Sequence, residues 1–376
     1  MTNPAIDDRP CDYRPIHDYA LIGDCHGSAL VASDGSIDWC CLKRFDAEPA
    51  LWRLLDATQG ASFVLQPTQP FRSERAYLPD THILRTVFTA VSGQVAVTDF
   101  MPVGHTPQSV RTDTVSLNAP GWLVRVAEGL EGHLEMRARY QCAACVFDQG
   151  FDSHDAAPML FTGASSSEET SSLDTVLALG AGERQVFVIA PRSDAAFAPA
   201  AQAESLLAIT HAFWKQWCRR CCYSGPYSDS VRRSALTLKA LSFAPTGAIV
   251  AAPTTSLPEE PSGVRNWDYR FSWLRDSSFV LQALGALGYS GEARGFCEFL
   301  RACCVQTLPS LQILYGVTGE ASLDERSLDH IEGYEGARPV RVGNAAHDQT
   351  QIDIYGELAD WAWVYHQLGG PLDETL

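Results

Sequence analysis

The densest cluster of aromatic and charged residues lies between Asn266 and Asp276. This segment reads Asn-Trp-Asp-Tyr-Arg-Phe-Ser-Trp-Leu-Arg-Asp. Aromatic faces such as those of Trp267 and Trp273 stack on the C–H face of a sugar ring, and Arg/Asp pairs hydrogen-bond adjacent hydroxyls. Pockets for neutral polar ligands combine such groups. The segment therefore favours a carbohydrate site, while an aromatic-rich helix start with structural Arg–Asp pairs remains an equally open interpretation.

Two polar loops accompany this segment. The loop Gly333–Asn344 contains Arg338 and Arg341, which supply hydrogen-bond donors, and glycines that permit tight turns. Taken alone, it is also compatible with a solvated surface loop. The stretch Ala251–Glu260 leads into the aromatic segment and ends in two glutamates. Neighbouring carboxylates in a loop are usually just exposed to solvent.

Other kinds of chemistry find little support. The sequence has no glycine-rich phosphate loop, no G-x-S-x-G and no H-E-x-x-H. The pairs Cys142/Cys145 and Cys218/Cys221 have metal-like or redox-like spacing, but a zinc site would require two such pairs to meet. Neither pair has the turn residues of a zinc knuckle, so packing in the core is favoured. We expect no metal and no cofactor.

The elements that position these residues change type along the chain. From about residue 23 to 191 the hydrophobic pattern has period two, as in His133–Tyr140, where apolar and charged residues alternate. Ile83–Val91 and Gln94–Phe100 indicate a hairpin, and Gln185–Ala190 indicates another strand. This pattern predicts an antiparallel β-sandwich.

After Pro199 the spacing becomes helical. The predicted helices are Ala201–Cys218, Ser230–Phe243, Ser277–Leu287, Gly291–Cys304 and Gln351–Leu368. Long connections separate them at residues 246–266 and 309–347, and such loops in a compact domain are usually functional. The predicted organisation is a β-sandwich over residues 1–198, a helical linker over 199–227 and a helical domain over 228–376.

Composition limits the class of partner. The chain has 376 residues, enough for two domains, with 46% hydrophobic and 19% charged residues and a net charge of −17. That charge repels phosphate backbones and anionic lipids, so we expect neither nucleic acid nor membrane partners. There is no signal pattern and no apolar run of about 18 residues. Many of the twelve cysteines lie in apolar surroundings, which predicts reduced thiols and a cytoplasmic protein. The pattern indicates no oligomeric state.

Several ordered motifs closely resemble the prokaryotic branch of glycoside hydrolase family 15, which includes glucoamylases and trehalases. The resemblance covers nearly the whole chain. The motifs occupy residues 22–24, 30–39, 44–46, 233–239, 244–260, 263–270, 273–276, 312–316 and 338–346.

The resemblance implies an α+β multidomain protein, with the β-sandwich followed by the first part of an (α/α)6 toroid whose mouth holds the active site. By similarity, Arg275 and Asp276 hydrogen-bond the terminal glucose of a neutral disaccharide or oligosaccharide, with Trp273 beside it. Arg338 and Arg341 match a loop that lines the same pocket.

The family inverts anomeric configuration with two glutamates, one acting as general acid and the other activating water. This chain stops at Leu376, before the segments where the family carries either glutamate. Residues 228–376 number 149, whereas twelve helices with loops need at least roughly 200. We therefore expect the chain alone to be inactive, and its helices after Ser230 to expose apolar faces.

Three functions stay open from the sequence. The first is an exo-acting α-glucosidase, whose preference for trehalose or maltodextrins cannot be read from these residues. The second is a non-catalytic sugar-binding or interaction protein on the same scaffold. The third is a glucoside phosphorylase, which replaces water by phosphate.

Overall fold

The computed structural model describes residues 13–105, 117–142, 146–147, 157–162, 168–307, 310–367 and 369–371. Antiparallel strands occupy the chain up to Pro191, and helices predominate after Ala203. The predicted α+β class is therefore confirmed, with the change of element type close to the predicted position.

Alternating apolar residues produce the strands, because successive side chains point to opposite faces. The strands of the N-terminal part are β1 (Tyr19–Gly23), β2 (Ser28–Ala32), β3 (Ser36–Cys41), β4 (Phe63–Pro67), β5 (Phe71–Tyr77), β6 (Leu84–Ala90), β7 (Gly93–Phe100), β8 (Gly104–His105), β9 (Leu117–Asn118), β10 (Leu123–Gln141), β11 (Pro158–Thr162), β12 (Glu168–Thr170), β13 (Ser172–Gly180) and β14 (Arg184–Pro191). Twelve of these described strands form one antiparallel sheet, while β8 and β9 pair separately.

The long strand β10 joins two halves of this sheet. Its first half pairs with β7 and β14, with Val124 opposite Phe100. Its second half pairs with β4 and β13, with Met136 opposite Pro67. The register shifts between Gly129 and Glu131, where a bulge separates the halves. The sequence predicted a β-sandwich here, and in the structure its two halves are hydrogen-bonded to each other through β10.

Both halves of the sheet bury side chains in one core. Leu134, Met136 and Ala138 of β10 are fully buried, as their alternation with charged residues predicts. They share a hydrophobic cluster with Trp39 from β3 and Phe88 from β6. Because burial of apolar area is the main favourable term in folding, this common core holds the two halves together.

The C-terminal part consists mainly of helices and long loops. The helices are α1 (Ala203–Cys218), α2 (Ser228–Ala240), α3 (Leu274–Ala286), α4 (Gly291–Thr307) and α5 (Asp353–Gln367). Two-residue strands lie between them: β15 (Ser272–Trp273), β16 (Leu314–Tyr315), β17 (Arg326–Ser327) and β18 (Arg341–Val342). Each predicted helix is present, and α3 begins three residues earlier than its apolar pattern predicts.

Part of the loop region packs on the β core rather than on the helices. Leu328, Tyr334, Val340 and Val342 belong to the same buried cluster as Trp39 of β3. The chain therefore returns to the N-terminal part after forming α4. None of the helices in the described part of the chain is long and apolar enough to cross a membrane.

Candidate active site

The start of α3 presents two charged residues of the aromatic segment. Trp273 is extended and pairs with Leu314 across β15 and β16, so the helix begins only at Leu274. Arg275 and Asp276 therefore lie in the first turn of α3. A carboxylate at this position interacts favourably with the helix dipole.

Arg275 and Asp276 line a cleft of about 360 Å³. Its other lining residues are apolar: Leu238, Leu241, Ile249, Val250, Ala251, Phe279 and Val280. The volume lies within the range of about 300–1,000 Å³ that small-molecule sites occupy. The cleft thus combines an apolar wall with one charged pair.

The guanidinium of Arg275 is held on one side and open on another. Its Nη1 donates to Gln351 Oε1 at 3.0 Å and to Asp353 Oδ2 at 2.8 Å. Its Nε lies 3.7 Å from Asp276 Oδ2, and its Cζ lies 5.7 Å from the centroid of the Trp273 ring. The side chain keeps 34% of its surface exposed, so a ligand in the cleft can reach it.

Asp276 retains a free hydrogen-bond acceptor. No hydrogen bond to its buried Oδ2 is found among the described residues. Burial raises the pKa of this carboxyl above its ordinary value, and the neighbouring charge of Arg275 opposes that rise. A buried acceptor without a donor is unfavourable. The Asp276 side chain as a whole is 43% exposed and lines the cleft, so its accessible part is open to a ligand there.

Trp273 lies at the junction between this pair and a small core. Its indole is buried with Phe271, Ile313 and Ile354, and no acceptor for its Nε1 is found in the described ranges. Its ring centroid is 6.3 Å from that of Tyr269. Trp273 therefore supports the start of α3 by packing and also borders Arg275.

Tyr269 adds a phenol near the charged pair. Burial raises the pKa of Tyr269, the charges of Glu259 and Asp276 raise it further, and Arg275 opposes them. The phenol therefore lies within electrostatic reach of both cleft residues. The sequence interpretation included this tyrosine only as part of the segment, and its signal was its place four residues before Trp273.

The other Arg–Asp pair of the segment is structural. Arg270 and Asp268 are both fully buried and joined by two hydrogen bonds of 2.8–2.9 Å. Arg270 Nη1 also donates to Ala47 O at 2.9 Å, which ties the segment to the N-terminal part. For this pair the structural interpretation of the sequence holds, and it does not face the cleft.

Trp267 and Arg341 contact each other. The guanidinium carbon of Arg341 lies 4.4 Å from the Trp267 ring centroid, a cation–π geometry. Arg341 also forms an ion pair with Glu325 at 3.0 Å and donates to the carbonyls of Val264 and Asn266. These contacts fix the loop that carries Trp267.

Arg338 occupies a third location. Its Nε donates to Glu332 O at 3.3 Å, in the loop whose Tyr334 and Val340 pack on the β core. The structure thus brings together Trp273, Arg275 and Asp276 and separately pairs Trp267 with Arg341. A pocket role for Trp267, Arg338 and Arg341 stays a prediction.

Two further groups of candidate residues can be placed. Glu259 and Glu260 are exposed, and Glu259 lies 3.6 Å from Arg265 in a solvent-facing ion pair. No group of three His, Cys, Asp or Glu side chains suited to a metal is found in the described segments. Cys145, one member of the predicted Cys pairs, lies outside them.

Sequence reasoning missed Gln351 and Asp353, which both accept a hydrogen bond from Arg275. They lie at the predicted start of the last helix, about 75 positions after Arg275, and only the tertiary fold brings them to it. The one available signal in the sequence was the Asp353 carboxylate near the start of the predicted helix Gln351–Leu368. It gave no indication of its partner.

Comparisons with known proteins identify the family that this chain resembles. The family model described as glycosyl hydrolases family 15 matches residues 225–376. The chain is 34% identical to a trehalase of Mycolicibacterium smegmatis, with 94% of this chain and 57% of the relative covered. It is 32% identical to trehalases of Mycobacterium tuberculosis and Thermoplasma volcanium, with 97% of this chain covered in both and 58% and 59% of the relatives. The chain therefore spans less than two thirds of these curated relatives, and the resemblance to family 15 is confirmed.

Proposed function

We propose, on the premise that residues 225–376 belong to glycosyl hydrolases family 15, that this chain binds the terminal glucose of an α-glucoside for hydrolysis. Trehalose is the first proposed substrate because the relatives compared above are named trehalases. Maltodextrins are the second, since terminal glucose is common to both.

One observation carries the proposal: a hydrogen-bond donor, Arg275, and a hydrogen-bond acceptor, Asp276, line the same cleft. Arg275 presents N–H donors, and Asp276 presents a carboxylate whose side chain is 43% exposed. Neighbouring hydroxyls on a sugar both donate and accept, so a donor beside an acceptor matches them. A neutral sugar also avoids the repulsion that a net charge of −17 imposes on anions.

The proposed chemistry is inverting hydrolysis by a general acid and a general base. Their carboxyl groups would stand roughly 6.5–9.5 Å apart to admit the attacking water. We assign neither role to a residue of this chain. The residues described here hold and orient the glucose, and we expect the 376-residue chain to bind sugar without turning it over.

Titration calorimetry with trehalose tests the binding role. Arg275→Ala should weaken binding about 30-fold or more, because it removes a charged donor and leaves Asp276 without its counter-charge. Arg232→Ala is the matched control, since Arg232 also lies on a helix, is also 34% exposed and also pairs with two aspartates, Asp80 and Asp229. Equal affinity of parent and Arg275→Ala would remove Arg275 from the site.

Product analysis separates the alternatives. Glucose release from trehalose or maltotetraose by the 376-residue chain would contradict binding without turnover. Formation of glucose 1-phosphate only in the presence of inorganic phosphate would replace hydrolysis by phosphorolysis. Sugar binding without any reaction, both by this chain and by a chain extended to the length of its relatives, would favour a non-catalytic sugar-binding protein.

A further inference from the structure

We infer that Asp353 and Gln351, at the start of α5, are positioning residues that aim the Arg275 guanidinium at the sugar. This inference rests on the proposed function and deepens it. Neither residue lines the cleft with Arg275 and Asp276. They act on the opposite side of the guanidinium.

Both hydrogens of one Arg275 nitrogen are engaged in hydrogen bonds. Nη1 carries two hydrogens, and it donates to Gln351 Oε1 at 3.0 Å and Asp353 Oδ2 at 2.8 Å. The guanidinium is planar, so fixing one nitrogen from two directions fixes the plane and direction of the remaining donors. Nε and Nη2 are the donors left for a ligand.

The same contacts keep Arg275 from closing on Asp276. The two are chain neighbours with opposite charges, yet their nearest nitrogen and oxygen stay 3.7 Å apart, beyond hydrogen-bond length. Asp353 holds the stronger interaction at 2.8 Å. Asp276 Oδ2 is consequently left as an acceptor, and a guanidinium released by Asp353 would be free to fill it.

The directions of the pKa shifts agree with a stronger interaction of Arg275 with Asp353 than with Asp276. The hydrogen bond from Arg275 lowers the pKa of Asp353 below its ordinary value, and the same bond raises the pKa of Arg275. At Asp276, burial outweighs the attraction of Arg275 and the pKa is raised. Asp353 is therefore the principal counter-ion of Arg275.

The fold provides a matched control on the same two helices. Gln282 on α3 donates to Asp360 Oδ2 on α5 at 2.8 Å. Asp360 and Asp353 are both carboxylates of α5 that accept a hydrogen bond from α3. Of these two carboxylates, Asp353 binds Arg275 and Asp360 binds Gln282. If removing either charge merely loosened the packing of α3 against α5, substitutions at Asp353 and Asp360 would therefore have the same effect.

Trehalose calorimetry on the 376-residue chain tests the inference. Asp353→Asn should weaken binding about fivefold, because the hydrogen bond from Arg275 then ends on a neutral amide and loses the opposite charge of the carboxylate, while Asp360→Asn should bind as the parent does. In an Arg275→Ala background, Asp353→Asn should have no further effect, since its action passes through Arg275. Unchanged affinity in Asp353→Asn, or an equal loss in both backgrounds, would overturn the inference.

A second readout does not depend on sugar binding. In protein with ¹⁵N-labelled arginine, the Nη1 and Nη2 signals of Arg275 should be separate in the parent and in Asp360→Asn, and merged in Asp353→Asn because the guanidinium then rotates. Signals that stay separate in Asp353→Asn would overturn the inference. A parent that shows ordered Arg275 signals but binds no sugar would instead overturn the proposed function.

Discussion

At the residue scale, two Arg–Asp pairs of one segment have different roles. Residue types alone predicted a polar aromatic site; Arg275 and Asp276 line a cleft, and their role in binding sugar stays a prediction. Asp268 and Arg270 have the same types and are fully buried. The difference depends on which backbone comes to lie against each pair, and the carbonyl of Ala47 is more than 220 positions away from Arg270. Such a contact leaves no local signal.

The titration of Asp276 predicts how sugar binding depends on pH. Burial holds the pKa of this carboxyl above its ordinary value, so the proton binds at a higher pH than in an exposed aspartate. The affinity for trehalose should therefore fall as the pH is lowered, beginning above about pH 4. Calorimetry across this range measures it. Asp276→Asn should bind weakly at every pH, and a parent affinity that stays constant down to about pH 4 would contradict the role of the carboxylate.

At the scale of elements, alternation predicted the strands and the helical spacing predicted the helices. The hairpin of β6 and β7 is present as predicted, because both strands alternate, and the two-residue turn Val91–Ser92 joins them. The start of α3 was placed too late, since the pairing of Trp273 with Leu314 fixes where the helix begins and that pairing is tertiary. The continuity of the sheet through β10 could not be predicted either, because its pairing partners come from strands far apart in sequence.

The buried pair that connects the segment to the N-terminal part should be costly to break. Arg270→Met leaves Asp268 charged and buried, and should lower the free energy of unfolding by about 3–5 kcal/mol. Arg137→Met is the matched control. Arg137 and Asp174 form the same two-bond geometry with side chains 38% and 51% exposed, so the expected loss is at most about 1 kcal/mol. Urea unfolding measures both, and equal losses would contradict the structural role of the buried pair.

At the scale of the whole molecule, the helical part exposes large apolar side chains, as the sequence predicted. Phe279 of α3 is 53% exposed, and Tyr355 and Trp363 of α5 are 49% and 61% exposed. Exposed apolar groups gathered on neighbouring helices are a common cause of association. The prediction of a toroid remains untested, because the described helices alone do not distinguish it from other helical arrangements.

This surface should bind an apolar fluorescent dye and promote self-association of the 376-residue chain. Phe279→Ser with Trp363→Glu should reduce dye fluorescence and shift the mass measured by light scattering toward the monomer. Val91→Ser is the control, since Val91 is fully exposed but isolated at the β6–β7 turn. A parent that is monomeric and binds no dye would contradict the prediction.

The return of residues 328–342 to the β core has a consequence for biosynthesis. Tyr13 donates a hydrogen bond to the carbonyl of Gly333, 320 positions later, and Leu328 and Val340 fill the core around Trp39. A nascent chain emerges from the ribosome in order, and its first-made half usually folds first. Here part of the apolar interior of the earliest strands stays open until residues 328–342 have been translated. Chaperone dependence during synthesis should therefore be set by the late segment, although the strands themselves are made early.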